Sequence, residues 1–230
     1  MKLAAFIFFL PVALCAQDFG YSYYTITDFR SLGVSYALQD FRPAGSNPLD
    51  DSAAVRFGAN LPMIEYREIS ARVAVGYQSY VLRGKNVTAF SVYMESGNDL
   101  SITGRDQRNG FFIPVKLSAN YVRAENTAPG QKNFDIGSLG IGAGGKYRTV
   151  SRTFGLQAFG TATIHYSSVG FGTEYGSQFS LSGEIQCLLP ELLFEGLIVG
   201  YRYERQQWDM SNSILNYQRF YHGPFIGVFF

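Results

Sequence analysis

The chain holds only two histidines and two cysteines in 230 residues. One histidine stands in His165-Tyr-Ser167, where a base and a hydroxyl two positions apart share one side of an extended strand. That pairing is the raw material of nucleophilic catalysis: a serine activated by an imidazole, with a carboxylate to orient the ring. The nearest downstream acid is Glu174. His165 and Ser167 share their face with Thr161 and Thr163, so the bland reading is a polar lining. His222 has no neighbouring His or Cys and reads as a rim residue, not a metal ligand. Cys187 stands alone once the N-terminal segment holding Cys15 is set aside, so no internal disulfide is expected. The glycines of 137–145 lack the Lys-Ser/Thr ending of a phosphate loop. No cofactor, metal or catalytic residue is assigned.

Charged side chains carry more information. Arg56, Arg72, Lys116, Lys146, Arg148, Arg202 and Arg219 fall on the polar faces of alternating segments, against Glu184 and Glu204. A basic excess of this kind would favour a small anion. The competing reading is mutual pairing that fills an interior, because buried charges need partners. Glu184 and Arg202, on successive segments, are the expected pair.

The elements that place these residues have a period of two. Phe179, Leu181, Ile185 and Cys187 oppose Ser180, Ser182, Glu184 and Gln186. Leu197, Val199, Tyr201 and Tyr203 oppose Gly200, Arg202 and Glu204. Val55, Phe57, Ala59 and Leu61 oppose Arg56, Gly58 and Asn60. The pattern predicts ten strands, at 31–41, 52–62, 69–82, 87–95, 110–123, 133–148, 153–167, 176–188, 196–207 and 217–230. Residues 20–29 add a candidate extra strand, 62–68 reads as a turn, and 96–109 as a long connection. Eight strands are the alternative if 84–109 is one excursion.

The N-terminus has Lys2, an apolar run from Leu3 to Leu14, and Ala16 before Gln17. The run is too short to span a bilayer as a helix, which needs about 20 residues. It reads as a secretory signal peptide over 1–16, leaving one domain over 17–230. Without Lys2 the basic residues fall from 19 to 18, matching the 18 acidic ones. That balance offers nothing to nucleic acid.

An exported chain of alternating strands forms either a soluble barrel with its apolar face inward or a membrane barrel with that face outward. Glycines share the polar faces with charges, as Gly140, Gly142 and Gly144 do with Lys146. A barrel interior needs that room, whereas on a solvated face such glycines only weaken strands. Tyr and Phe gather near strand ends, as at a lipid–water boundary. The expected fold is all-β: a closed, antiparallel, transmembrane up-and-down β-barrel.

The chain's end, His222-Gly-Pro-Phe-Ile-Gly-Val-Phe-Phe230, resembles the outer-membrane barrel end signal, with Gly223, Ile226, Val228 and Phe230 at its key positions. That resemblance implies recognition by the barrel-assembly machinery, a periplasmic C-terminus and extracellular loops. Gly110-Phe-Phe-Ile-Pro-Val-Lys-Leu117 and the Ala16/Gln17 junction resemble the small porin-like outer-membrane β-barrel proteins of Bacteroidota. His165-Tyr-Ser167 is similar to the His-x-Ser-Asn motif of outer-membrane lipid A deacylases, but Ser168 replaces the Asn. The expected function is non-enzymatic: a Gram-negative outer-membrane barrel with a structural, surface-interaction or membrane-complex role. The expected partners are outer-membrane lipids, the assembly machinery and another outer-membrane protein complex. A narrow pore, a deacylase-like enzyme and a soluble secreted binder are the alternatives, in that order.

Overall fold

The computed structural model describes residues 30–45, 48, 57–68, 70–82, 85–103, 109–126, 133–151, 153–169, 174–190, 192 and 195–230. The signal segment 1–16, the extra strand at 20–29 and Arg56 lie outside the described residues. Ten strands form: β1 (Ser31–Pro43), β2 (Phe57–Arg67), β3 (Ala71–Leu82), β4 (Lys85–Ser101), β5 (Gly110–Asn126), β6 (Phe134–Val150), β7 (Gly155–Ser168), β8 (Tyr175–Pro190), β9 (Gly196–Met210) and β10 (Tyr217–Phe229). Each pairs antiparallel with the next. β10 closes on β1, from Ser31 opposite Phe229 to Pro43 opposite Tyr217. The expected closed up-and-down barrel is therefore present, with ten strands and not eight. Among the described residues one helical turn, Ser213–Leu215, interrupts the all-β architecture.

The barrel has two ends. The start of β1, the end of β10 and the connections at 68–70, 102–109, 151–154 and 191–195 mark the terminal end. The opposite, loop end carries the connection 211–216.

Two strands differ from the sequence expectation. β2 runs five residues further than the predicted 52–62, through the segment expected to turn. Its faces are also reversed: Leu61, Met63, Glu65 and Arg67 point inward, while Ile64 is exposed on the outer wall. The reason is the charge pair at 65 and 67, which finds partners only inside. With a side-chain period of two, that choice fixes the face of every other residue in the strand. β4 likewise continues past the predicted end at 95 to Ser101 and stays paired with β5 from Val87 opposite Asn126 to Ser101 opposite Phe112. The polar run around Asp99, expected as loop, is strand that lines the interior.

The distribution of apolar residues is inside-out. Leu32, Val34, Ile64, Ile141, Ile164 and Ile226 lie exposed on the outer wall, Ile164 at 66%. Aromatic rings stand outward toward both ends: Phe111 and Tyr147 near the terminal end, Tyr166 and Tyr175 near the loop end. The ring of strands closes, the arrangement a strand protein needs in lipid, although β2 and β3 pair only from Met63 to Arg67.

Candidate functional site

The lumen gathers most of the buried charged side chains among the described residues. Its centre is a closed ring of four. Arg67 on β2 donates to Glu65 Oε2 at 2.7 Å and to Glu184 Oε1 at 2.5 Å. Arg202 on β9 donates to Glu65 Oε1 at 2.7 Å and to Glu184 Oε2 at 2.7 Å. Each guanidinium thus bridges both carboxylates, and Ser35 adds a 2.7 Å hydrogen bond to Glu65. Glu184 and Arg202 face each other on neighbouring strands. Glu65 and Arg67 reach them from β2, three strands from β9 and four from β8 around the barrel, so the ring braces strands that do not pair. All four side chains are buried.

Local sequence seats this ring. Phe225 lies beneath it, with Arg67 3.9 Å and Arg202 5.2 Å from the ring centroid. Phe225 in turn rests on Gly200, where a Cβ would collide with the phenyl ring. The small residue on the polar face of β9 is therefore room for an aromatic platform on β10.

A second network follows the wall of β4, β5 and β6. Lys116 donates to Glu95 at 3.2 Å, and its ammonium lies 4.3 Å from the Phe159 ring centroid. Lys146 and Arg148 each donate to Asp99 at 2.6 Å. Arg72 turns inward over the ring of Tyr93 at 4.3 Å. Arg219 donates to Gln39 at 3.1 Å. Glu204 accepts from Tyr221 and from Gln206. Every predicted lumen charge within the described residues thus points inward, all but the half-buried Lys116 are buried, and most are joined to a partner. Glu65, Arg67 and Asp99 complete the set together with Glu95, the last residue of the predicted strand 87–95; the first three escape because 62–68 and 96–109 carry turn-like residues. The signal that would have found them is the alternation of Ile64 and Tyr66 with Met63, Glu65 and Arg67.

A pocket opens between Arg67, Arg72, Asp99, Lys116, Lys146 and Gln186, with about 530 Å³ of empty space, mouth included. Toward the loop end the interior turns aromatic. Phe41 stacks on Tyr217 at 4.9 Å, and Phe134 meets Phe41, Trp208 and Tyr217 at 4.9, 5.1 and 5.0 Å. Trp208 is 1% exposed. Leu215, on the helical turn, joins this cluster. The turn is held by Asn216, whose Oδ1 accepts from the Met210 amide at 2.7 Å.

The histidine–serine motif separates. His165 and Ser167 are both buried in the lumen. Ser167 bonds to Ser138 at 2.7 Å, and His165 Nε2 bonds instead to Ser118 on β5 at 2.7 Å. His222 points outward, its Nδ1 2.5 Å from Tyr201 Oη. Among the described residues no group of His, Cys, Asp and Glu is arranged to hold a metal. At the C-terminus, Ile226 and Phe230 are exposed on the outer wall, whereas Gly223 faces inward. The outward Val228 pairs with Leu32 of β1.

No family model matches the chain, and no curated protein does. Solved structures do. The attachment invasion locus protein Ail of Yersinia pestis aligns at 12% identity over 89% of this chain and 100% of its own, with a TM-score of 0.31. The outer membrane protease OmpT from Escherichia coli aligns at 8% identity over 91% and 99%, with a TM-score of 0.38. Pseudomonas aeruginosa OpdQ aligns at 9% identity over 88% and 97%, with a TM-score of 0.23. These are likenesses of a low order, and what the lumen does has to be read from its own geometry.

Proposed function

We propose that the chain is an integral outer-membrane β-barrel, non-enzymatic and non-conducting, whose work is structural or interactive. In this reading the loop end is extracellular and the C-terminus periplasmic. The wall meets lipid and docks to another membrane protein, while the loops contact outside partners. The observation that carries it is the pairing of an apolar outer wall with a filled lumen. Exposed apolar surface on soluble monomers is confined to patches of a few hundred Å², about 300–600. Here isoleucine, leucine, valine and ring side chains face out on strand after strand around the circumference. Inside, an arginine–glutamate ring spans the bore and an aromatic cluster fills the loop end. Small barrels are filled by their own side chains in this way. Against catalysis stand the depth of His165 and the engagement of Ser167 with Ser138.

Two measurements test the proposal together. The protein extracted from the outer-membrane fraction should migrate differently on gels before and after boiling, as closed barrels do. In planar bilayers it should give no steady single-channel steps. Recovery from the soluble periplasmic fraction would refute the membrane placement, and steady anion-selective steps would refute the closed lumen.

A further inference from the structure

We infer that the outer wall at β1, β9 and β10 carries a binding site for the phosphate of an anionic membrane lipid, built from Arg42, Arg205 and Phe220. The inference rests on the membrane reading above and adds a ligand to the wall. Phe220 faces outward, directly opposite Asp40 on one neighbouring strand and Arg205 on the other. Two guanidinium groups flank its ring, Arg42 with Cζ 5.7 Å and Arg205 with Cζ 5.3 Å from the centroid. Cation–π contacts of this length hold a guanidinium over a ring without using up its N–H donors. Beyond the long contacts of Arg205 with Gln207 and of Arg42 Nε with Asp40, the remaining donors of both arginines are available to one phosphate, the acceptor that arginine's planar fork matches best.

The position is that of a headgroup. On β1 the outward residues Leu32, Val34, Tyr36 and Leu38 are apolar or aromatic, and the next two are Asp40 and Arg42. On β9 the outward Tyr201 and Tyr203 give way to Arg205 and Gln207. The change falls at one level on β1 and β9, the two strands that flank β10: Leu38 and Tyr203 lie either side of His222 in one row, and Asp40 and Arg205 either side of Phe220 in the next. An acyl chain lying on the apolar part of this wall would bring its phosphate to the arginines.

The charge is also only half compensated, with one carboxylate, Asp40, beside two guanidinium groups. Asp40 approaches Arg42 only at 3.5 Å, with both side chains about half exposed. Arg205 reaches the neutral Gln207 at 3.4 Å and has no carboxylate within salt-bridge distance among the described residues. The outward Arg123 differs, since Glu125 holds it one to one. A lipid phosphate supplies the missing negative charge.

The test is native mass spectrometry of the full chain, released from micelles doped with either phosphatidylglycerol or phosphatidylcholine, with the number of retained lipids counted. Phosphatidylglycerol should be retained in preference. Arg42→Gln and Arg205→Gln should each weaken that retention about fivefold, from ~1 kcal/mol per basic residue at an anionic surface. The double variant should abolish the preference, and Arg123→Gln should leave it intact. Equal retention of both lipids, or a preference that survives the double variant, would overturn the site. Displacement of phosphatidylglycerol by millimolar inorganic phosphate would show a free-anion site and overturn the lipid assignment. Each sample is first checked for heat-modifiable migration. Loss of that behaviour in the wild type would count against the membrane reading, whereas lost lipid preference in a heat-modifiable barrel counts against this site alone.

Discussion

At the scale of single residues, the four charges at the centre of the lumen depend on one another. Arg67 and Arg202 share Glu65 and Glu184, so removing one carboxylate leaves two guanidinium groups on the other. Breaking a buried pair from one side typically costs about 3–5 kcal/mol, because the remaining charge is stranded away from water. Glu184→Gln should therefore lower unfolding stability in lipid vesicles by about that amount. Arg123→Gln, which breaks an exposed pair with Glu125, should cost less than about 1 kcal/mol. Equal effects of the two changes in urea titrations would contradict the bracing role. Gly200 makes a separate case, since it acts through shape. A methyl group there meets Phe225, the platform under both arginines. Gly200→Ala should destabilise by about 1–3 kcal/mol, the usual cost of overpacking. Combined with Phe225→Leu, which removes the ring contact and leaves the one with the Ile185 carbonyl, the alanine should cost less than it does alone. Additive losses would show that Phe225 and Gly200 are not coupled.

At the scale of strands, the alternating pattern reveals more of the fold than of the site. β7, β8 and β9 announce themselves because their middle stretches alternate apolar outward residues with polar inward ones, as Leu181 and Ile185 do with Ser180 and Glu184. Glu184 and Arg202 can be paired from sequence since their strands are adjacent and one turn sets the register. Glu65 and Arg202 cannot: they are 137 residues apart, and their meeting depends on how the sheet closes across the bore. β2 was misread for a local reason. Pro62 suggests a break, yet the ladder of β2 with β3 covers only Met63 to Arg67, so the missing N–H removes no bond on that side. β4 was misread because Ser96-Gly97-Asn98-Asp99 has turn-forming residue types, although Asp99 is claimed by Lys146 and Arg148. The inverted face of β2 is directly testable. A fluorophore attached at Ile64→Cys should be quenched by brominated lipid chains. One attached at Met63→Cys should not be quenched, or should label only after unfolding. The opposite pattern would restore the sequence reading, with Leu61 toward lipid.

At the scale of the whole molecule, closure is what turns ten half-buried ribbons into a barrel, and β10 makes that closure. It pairs with β9 on one side and along β1 on the other, and the Phe230 amide donates to the Arg30 carbonyl at 3.0 Å. The Phe230 side chain does something different. It is exposed at 59% on the outer wall, touching the barrel through Tyr66, whose ring centroid is 6.5 Å away. The hydrogen bond belongs to the backbone and survives any side-chain change, whereas the exposed ring contributes little packing. A purely structural role therefore predicts that Phe230→Ala folds almost normally both in detergent and in cells. The resemblance of the last residues to an assembly signal predicts a split: near-normal folding of the purified chain into vesicles, and a severalfold loss of heat-modifiable barrel in the outer membrane. Gly223→Val offers the contrasting case, because a Cβ at that position would strike the Tyr36 carbonyl of β1. That change should impair closure in vesicles and cells alike. If Phe230→Ala also fails in vesicles, the ring acts in the fold itself and the assembly-signal role loses its support.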